Sequence, residues 1–306
     1  MTTARAIVVG DALIDELRDD NGVREFVGGA ALNVAVGLSR LGVPATLIAM
    51  VGDDEPGSHI RSYLADYGVD LVATTSPLGT ARAVSTRTGG GEPEYVFNEA
   101  SQRRRIRFGD AEQKAMADAA IVVVSCFAFD DAEQTADLAA ALAAAGAPVA
   151  IDPNPRTGML HDKDAFVRGF ESLATGAALV KVGEDDAALL YGQPLDSLRS
   201  RLVDLGVAAV LATEGASGAT IEAGDVVVTH PVSTLPGRIV DTMGAGDAAF
   251  AATVEAVLDR EPSGEDEWAE VLRAAMDVAA ATCRFEGALL RTPAALEALD
   301  LDRIGT

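Results

Sequence analysis

The heptapeptide Asp241-Thr242-Met243-Gly244-Ala245-Gly246-Asp247 places two glycines and an alanine directly before a carboxylate. An alanine-rich segment with helical spacing follows over 247–259, so the glycine turn is predicted to open a helix. The N–H groups and the dipole of a helix start favour a negatively charged group there. Asp247 lies beside those donors and can accept a proton. The pattern suits phosphoryl transfer to a hydroxyl, and the alternative is an aspartate that only caps the helix.

Composition excludes several classes of function. The chain has 306 residues and a formal net charge of −23, which argues against a nucleic-acid backbone or an anionic membrane as partner. Two cysteines without paired spacing and three scattered histidines predict no structural zinc and no histidine catalysis. The apolar tracts are too short or too broken to span a bilayer, and the start shows no signal-peptide pattern, so we expect a cytoplasmic protein.

Apolar, β-branched runs alternate with helical patterns along most of the chain. This alternation predicts a mostly parallel sheet with helices on both faces and with ligands at the carboxyl ends of the strands. The predicted strands are Ile7–Val9, Thr46–Met50, Ile121–Val124, Val149–Ile151, Ala178–Val182 and Ala209–Ala212. The predicted helices are 30–41, 57–67, 131–145, 185–191, 196–205, 247–259, 267–285 and 293–299.

Two segments, about 12–27 and 80–98, interrupt the alternation. Each is typical of short strands joined by turns, and together they predict a small β-sheet lying over the ligand site. The alternative is a pair of surface hairpins without such a role. Since no linker divides the chain, we expect one domain over 1–306 with these two segments inserted.

Polar residues near the chain start form a candidate binding group. Asp11 follows the first strand, where a carboxylate can accept hydrogen bonds from two vicinal hydroxyls or can simply hold a turn. Gly28 and Gly29 open a helix whose first turns contain Asn33. Backbone N–H groups and an amide there would face a polar ligand, whereas the alternative is close packing of helix on strand.

Further candidates follow later strands. Arg156 in the stretch 152–156 is a candidate anion clamp or a surface ion pair. Glu184 is a candidate Mg²⁺ ligand or part of an acidic helix start. The glycine turn 213–218 could lie against a nucleotide or merely connect two strands. The basic run 103–107 is interpreted as a solvated face or a set of ion pairs.

In this order, the motifs resemble the ribokinase/PfkB family of carbohydrate kinases over nearly the whole chain. The segment 28–33, with Gly37, 40–42 and 51–53, looks like the first signature of that family, and 241–247 looks like the second. The resemblance implies a ribokinase-like three-layer αβα sandwich with a mostly parallel central sheet and a small β-sheet lid. It also implies phosphorylation of a sugar hydroxyl with ATP and Mg²⁺.

The resemblance carries roles onto individual residues. It implies that Asp247 is the catalytic base, with the amides of Gly244, Ala245 and Gly246 as an anion hole. Residues matching sugar-binding positions are Asp11, Gly28, Gly29 and Asn33, to which the residue pattern adds Arg156. Residues matching positions near the nucleotide are Lys181, Thr213, Gly215, Gly218 and Met276. Many members bind K⁺ near the second signature, where Asp241 is the matching residue.

Two positions depart from the family pattern on the nucleotide side. Lys181 stands at the first position of a motif that is often Asn-x-x-Glu, and it would exchange an amide–phosphate contact for a charged one. Met276 stands where the family often has an asparagine near the adenine. Both departures concern the choice and affinity of the nucleotide.

The segments 152–156 and 282–288 look most like those of fructokinases. We therefore expect transfer of the γ-phosphoryl group of ATP to a primary hydroxyl of a small sugar, fructose first. The alternative is a 2-keto-3-deoxygluconate kinase, which would need a cation such as Arg82, Arg87 or Arg156 for the acceptor carboxylate. A sugar- or nucleotide-binding regulator without catalysis is the non-enzyme alternative. An exposed lid edge predicts a homodimer.

Overall fold

The computed structural model describes residues 4–19, 22–86 and 94–297, and these contain two β-sheets. The strands are β1 (Ala6–Gly10), β2 (Leu13–Asp19), β3 (Gly22–Gly28), β4 (Ala45–Gly52), β5 (Asp70–Ser76), β6 (Arg82–Thr86), β7 (Glu94–Phe97), β8 (Ile121–Ser125), β9 (Val149–Asp152), β10 (Leu179–Gly183), β11 (Val210–Thr213), β12 (Ala219–Ala223) and β13 (Val226–His230).

The large sheet has the strand order β13-β12-β11-β10-β9-β8-β1-β4-β5. Neighbouring strands pair in parallel along the series β11-β10-β9-β8-β1-β4-β5. At the β11 edge, β12 and β13 add an antiparallel hairpin. All six predicted strands belong to this sheet, and the predicted fold class is confirmed. The sequence prediction missed β5, β12 and β13, where threonine and acidic residues interrupt the apolar runs.

Helices cover both faces of the large sheet. They are α1 (Ala30–Arg40), α2 (Glu55–Asp66), α3 (Glu99–Gln102), α4 (Asp110–Ala117), α5 (Ala132–Ala145), α6 (Lys163–Ala174), α7 (Glu184–Asp186), α8 (Leu195–Asp204), α9 (Ala245–Arg260), α10 (Glu265–Thr282) and α11 (Ala294–Glu297). None of the helices in the described ranges is both long and apolar enough to cross a membrane.

Alternate residues of the central strands enter two separate cores. In β1, Val8 packs into the core that includes α1, α2, α9 and α10. Its neighbours Ile7 and Val9 pack into the core that includes α4, α5, α6 and α8. Successive side chains of a strand point to opposite faces, so a strand buried on both faces has to be apolar throughout. This requirement explains why the central strands were easy to recognise in the sequence.

The second sheet has the order β3-β2-β6-β7 and is formed by the two predicted lid segments. Residues 20–21 and 87–93 of those segments lie outside the described residues. An apolar cluster that includes Leu13, Phe97, Cys126 and Met159 joins this lid to the carboxyl-end loops of the large sheet. An ion pair between Arg24 of β3 and Glu286, beyond α10, also links the lid to the main body.

Candidate active site

Asp247 lies in the first turn of α9, buried at 8% exposure. Its Oδ2 accepts a hydrogen bond of 2.8 Å from Nδ2 of Asn33 in α1, which is 214 positions away in the chain. Burial raises the pKa of this carboxyl group, while the Asn33 hydrogen bond and the positive charges of Lys181 and Arg156 act in the opposite direction. Asp247 is thus a shielded carboxylate that keeps one oxygen fixed by an amide.

The turn before Asp247 depends on glycine. Gly244 has a φ of 74°, and a Cβ at this position would lie 2.6 Å from the backbone of Ala288. A side chain would therefore both strain the backbone and collide with the loop that follows α10. The N–H of Ala245 donates to the Thr242 carbonyl at 3.3 Å, so the remaining N–H groups at the start of α9 are the ones that can serve an anion beside Asp247. This geometry suits a small anion at the helix start.

Asp11 forms the floor of the neighbouring region, directly after β1. Its Oδ1 accepts a hydrogen bond of 2.9 Å from the backbone N–H of Ala31, at the start of α1. Gly29 has a φ of 110°, and a Cβ there would lie 2.8 Å from the Asp11 carbonyl oxygen. Close approach of the two backbones thus brings Gly28, Gly29 and Asn33 next to Asp11. Burial raises the pKa of Asp11 against the effects of the Ala31 hydrogen bond, Arg104 and Arg156.

Asp15 on the lid strand β2 is a site residue that sequence reasoning missed. Its carboxylate packs so closely on Gly28 that a Cβ there would collide with Oδ2. Burial, reinforced by the charges of Asp11 and Asp247, raises the pKa of Asp15 to about 7. The available signal was the two-residue period of a strand, because Leu13 faces the cluster at the site and Asp15 shares its face.

The arginines proposed for an acidic acceptor are not equivalent. Arg82 is engaged by Glu16 and Glu25 within the lid, and Arg87 lies outside the described residues. Arg156 makes no ion pair with any residue that the structure describes, although its guanidinium faces the site. Arg156 as a whole is exposed, but the site partly encloses its guanidinium, which opposes the charge; nearby Cys126, Asp247 and Asp11 outweigh this effect and raise the pKa of Arg156.

The run 103–107 is only partly the solvated face or set of ion pairs that its composition predicted. Arg103 pairs with Glu99, and Arg105 pairs with Asp131 and Glu133. Arg104 instead turns inward, where its charge lowers the pKa of Asp11 against burial. Composition could not reveal this difference, because it is the local backbone path that selects which arginine points inward.

Lys181 forms a buried ion pair with Asp152 on the other side of the glycine turn. Its Nζ lies 3.2 Å from Oδ2 of Asp152, and the Asp152 side chain is fully buried. Strand register sets the pair, because Val180 aligns with Ile151 across β10 and β9. The same Nζ lies 3.3 Å from the position that a Cβ on Gly246 would take. The ammonium group therefore lies against the start of α9, where an anion would also lie.

Asp186 is a second residue that sequence reasoning missed. It is buried at 6% exposure, and its Oδ2 accepts a hydrogen bond of 2.7 Å from the N–H of Gly183. Burial raises the pKa of Asp186, while the Lys181 charge and the Gly183 hydrogen bond lower it. Glu184, the predicted Mg²⁺ residue, is exposed, with Oε2 towards Gly215. The three-residue spacing from Gly183 to Asp186 is the capping pattern that could have revealed Asp186.

The predicted nucleotide residues fall into two groups. Thr213 pairs with Gly183 at the carboxyl edge of the sheet, and the turn with Gly215 and Gly218 follows it. Met276 is buried at 5% exposure among the apolar residues between α10 and the large sheet. The structure thus brings the first group to the edge that carries Lys181, but it places Met276 in the core.

The donor set around Lys181 fits a magnesium ion held mostly by phosphate. No three acidic, cysteine or histidine side chains within the described ranges converge into a site that the protein alone could complete. Mg²⁺ typically uses one or two carboxylates together with substrate phosphates and water, so Glu184 and Asp186 would be enough ligands from the protein. Both oxygens of Asp241 accept hydrogen bonds from the N–H groups of Met243 and Gly287, and its K⁺ role stays a prediction.

Known proteins resemble this chain in sequence and in fold. The family model of the pfkB family carbohydrate kinases matches residues 3–295. Fructokinase-1 of Zea mays is 30% identical, covering 98% of this chain and 99% of its own length. A fructokinase of Rhizobium leguminosarum bv. trifolii is 28% identical, covering 78% and 75%. The structure of a fructokinase with bound ATP from Xylella fastidiosa superposes with a TM-score of 0.81 at 21% identity, covering 99% and 100%.

Proposed function

The chain belongs to the pfkB family of carbohydrate kinases, and on that premise we propose that it transfers the γ-phosphoryl group of ATP to a primary hydroxyl of fructose. The observation that carries the proposal is the buried Asp247–Asn33 contact beside the glycine turn of α9. A carboxylate and an anion-binding helix start lie together there, as transfer of a phosphoryl group to a hydroxyl requires. Similarity to fructokinases supports fructose as the acceptor.

In this proposal Asp247 orients the reacting hydroxyl and accepts its proton. Asn33 holds one carboxylate oxygen, so the other oxygen is directed to the acceptor. Burial makes Asp247 a better base than an exposed aspartate. A loose transition state needs little early proton transfer, so the base acts late, once bond formation has acidified the hydroxyl.

The transferring phosphoryl group is stabilised from the opposite side. We assign this role to the backbone N–H groups of Gly244, Ala245 and Gly246, which lie at the start of α9. Lys181 adds a positive charge against the same turn, since its Nζ approaches Gly246. Fixed donors and charges in a water-poor site stabilise the charge that develops on the phosphoryl oxygens.

The sugar lies between the lid and the ends of β1 and β9. Asp11 would accept hydrogen bonds from the sugar hydroxyls. Gly28 and Gly29 would let the sugar approach the backbone closely, and Asn33 would lie beside the reacting hydroxyl. Asp15 would reach the sugar from the lid. ATP would lie along Thr213, Gly215 and Gly218, and Glu184 and Asp186 would hold Mg²⁺. When bound, Mg²⁺ neutralises charge on the phosphates.

A second acceptor class, 2-keto-3-deoxygluconate, is favoured by one observation. Arg156 faces the site without an ion-pair partner among the described residues, whereas Arg82 is already held by two glutamates. A guanidinium in that state can bind the carboxylate of a sugar acid in a bidentate manner. The two acceptors therefore differ in how strongly they should depend on Arg156.

The decisive experiment measures ADP formation with a panel of acceptors: fructose, ribose, 2-keto-3-deoxygluconate, inositol and nucleosides. We expect turnover to require the sugar and to be fastest with fructose. Sugar-independent or absent turnover would contradict the kinase proposal and favour a binding regulator. A preference for 2-keto-3-deoxygluconate that disappears in Arg156→Met would instead establish the second acceptor.

The proposal extends to assembly and location. Val23 of β3 and Val96 of β7 are 62% and 57% exposed on the lid, which supports a homodimer formed through this sheet. A cytoplasmic location accords with ATP as the phosphoryl donor. Sedimentation of the wild type and of Val96→Asp tests the lid contact, because a charge there would dissociate such a dimer.

A further inference from the structure

Arg104 differs from its neighbours in the basic run in its bonding. Its Nη1 and Nη2 donate only long hydrogen bonds of 3.4 Å to the backbone carbonyls of Ser101 and Phe127. Its Nε is buried and has no hydrogen-bond partner among the residues that the structure describes. A buried donor without a partner is unfavourable, so Arg104 keeps binding capacity that the protein itself does not use.

The Arg104 side chain borders a small cavity beside the candidate sugar site. This cavity has a volume of about 20 Å³ and is lined by residues that include Asp11, Met50, Arg104, Cys126 and Met159. Its polar lining includes Asp11, Ser101 and Gln134 besides Arg104. Neither Asn33 nor Asp247 is among the described residues that line it, so the cavity extends the sugar site away from the reacting hydroxyl.

We infer that Arg104 determines acceptor specificity by binding one oxygen atom of the sugar at the end remote from the reacting hydroxyl. The inference rests on the proposed function, because it assumes that Asp11 contacts the sugar. A volume of about 20 Å³ accommodates one water-sized group, which favours a single hydroxyl or carbonyl oxygen over a phosphate.

Energetics explain why such a contact selects the acceptor. A hydrogen bond from a guanidinium is stronger than one from a neutral donor, and it forms here in a shielded place. An acceptor that lacks the matching oxygen leaves the guanidinium without a partner and is rejected. The Asp11 carboxylate next to Arg104 would orient the same part of the sugar from the other side.

Arg104→Met tests the contact, because methionine keeps an unbranched apolar chain but removes the charge and the donors. We expect kcat/KM for fructose to fall roughly thirtyfold, with the KM for ATP changed by less than about twofold. Arg103→Met is the matched control, since Arg103 is 69% exposed and pairs only at the surface. The control should keep the wild-type kcat/KM within about twofold.

Monodeoxy analogues of fructose identify the oxygen. In the wild type, removal of one particular hydroxyl should lower kcat/KM at least about tenfold. In Arg104→Met, removal of the same hydroxyl should lower kcat/KM by no more than about twofold, because the arginine that binds this hydroxyl is already gone. If every analogue loses the same factor in both proteins, or if Arg104→Met retains wild-type kcat/KM, Arg104 has no role in acceptor selection.

Two further measurements separate the possible failures. Thermal unfolding and ATP binding of Arg104→Met establish that it folds, and Arg104→Lys provides a second variant that should recover only part of the kcat/KM. Failure of the wild type to phosphorylate any sugar overturns the proposed function and the inference with it. If 2-keto-3-deoxygluconate replaces fructose as the acceptor, the same variant ratios are measured with that sugar.

Discussion

The candidate site has an acceptor half, proposed for the sugar, and a donor half, proposed for ATP. The two halves solve the problem of buried charge in different ways. On the acceptor half, the carboxylates of Asp11 and Asp247 are each held by one neutral N–H donor and have no ion-pair partner among the described residues. On the donor half, Lys181 is neutralised by Asp152 at 3.2 Å. On the acceptor half, the carboxylate oxygens thus stay available to hydroxyl groups, while Arg104 and Arg156 lie near without pairing with them. On the donor half, Lys181 is already paired with Asp152 before a nucleotide arrives, so we expect phosphate affinity to depend largely on backbone N–H groups.

Asp247→Asn should produce the largest effect, because it removes the charge on which the acceptor half depends. We expect kcat to fall about 10³-fold, since the base is lost while the amide can still accept the Asn33 hydrogen bond. Steady-state turnover together with ATP binding measures the change. Asp259→Asn, at the exposed end of the same helix, should behave like the wild type. Near-normal turnover of Asp247→Asn would remove Asp247 from the chemistry.

Lys181→Met should have the next largest effect, because it leaves Asp152 buried without its partner. We expect the free energy of unfolding to fall by about 3 kcal/mol and the KM for ATP to rise. Urea unfolding and initial rates measure the two effects. The double variant Lys181→Met with Asp152→Asn should recover most of the stability but not the KM. Recovery of both would mean that Lys181 has only a structural role.

Asp15 makes the stability of the folded protein depend on pH. Its pKa in the folded protein is about 7, raised from an ordinary value of 3.8. Between these two values the folded state retains a proton that the unfolded state has lost, so stability falls as pH rises from about 4 to 7 and then levels off. In Asp15→Asn this decline should shrink by at most about 4 kcal/mol, as measured by urea unfolding across that range. Parallel stability curves for the two proteins would contradict the assignment.

Glu184→Gln should have the smallest effect, because Glu184 is exposed, and phosphates, water and Asp186 would still hold Mg²⁺. We expect about a threefold rise in the Mg²⁺ concentration that gives half-maximal activity. Asp185→Asn is the matched control, since it removes the same charge from the neighbouring exposed position. Equal shifts in the two variants would show that local charge, and not a metal contact, explains the effect.

The sequence revealed most of the fold, because strands buried on both faces must be apolar throughout and are easy to recognise. β12 and β13 were missed because Thr220, Glu222 and Thr229 interrupt their apolar pattern. A hairpin at the edge of the sheet tolerates such polar residues. The prediction also brought Asp11, Asn33 and Asp247 into one site, through motifs that mark the starts of α1 and α9.

The missed features depend on contacts that local patterns do not encode. The Lys181–Asp152 pair is set by the register of β9 and β10, and Lys181 was interpreted only as a replacement for an amide. Asp15 becomes important only when β2 pairs with β3, which packs its carboxylate on Gly28 and excludes water from it. The inward direction of Arg104 follows from the path between α3 and α4, which composition alone leaves open.

The ion pair between Arg24 and Glu286 has a consequence for how salt affects the lid. Its side chains are 44% and 53% exposed, so the pair contributes at most about 1 kcal/mol to holding the lid against the body. The apolar cluster that includes Leu13, Phe97, Cys126 and Met159 also joins the lid to the body, and salt does not screen apolar contacts. Added salt should therefore weaken the contact between lid and body only slightly.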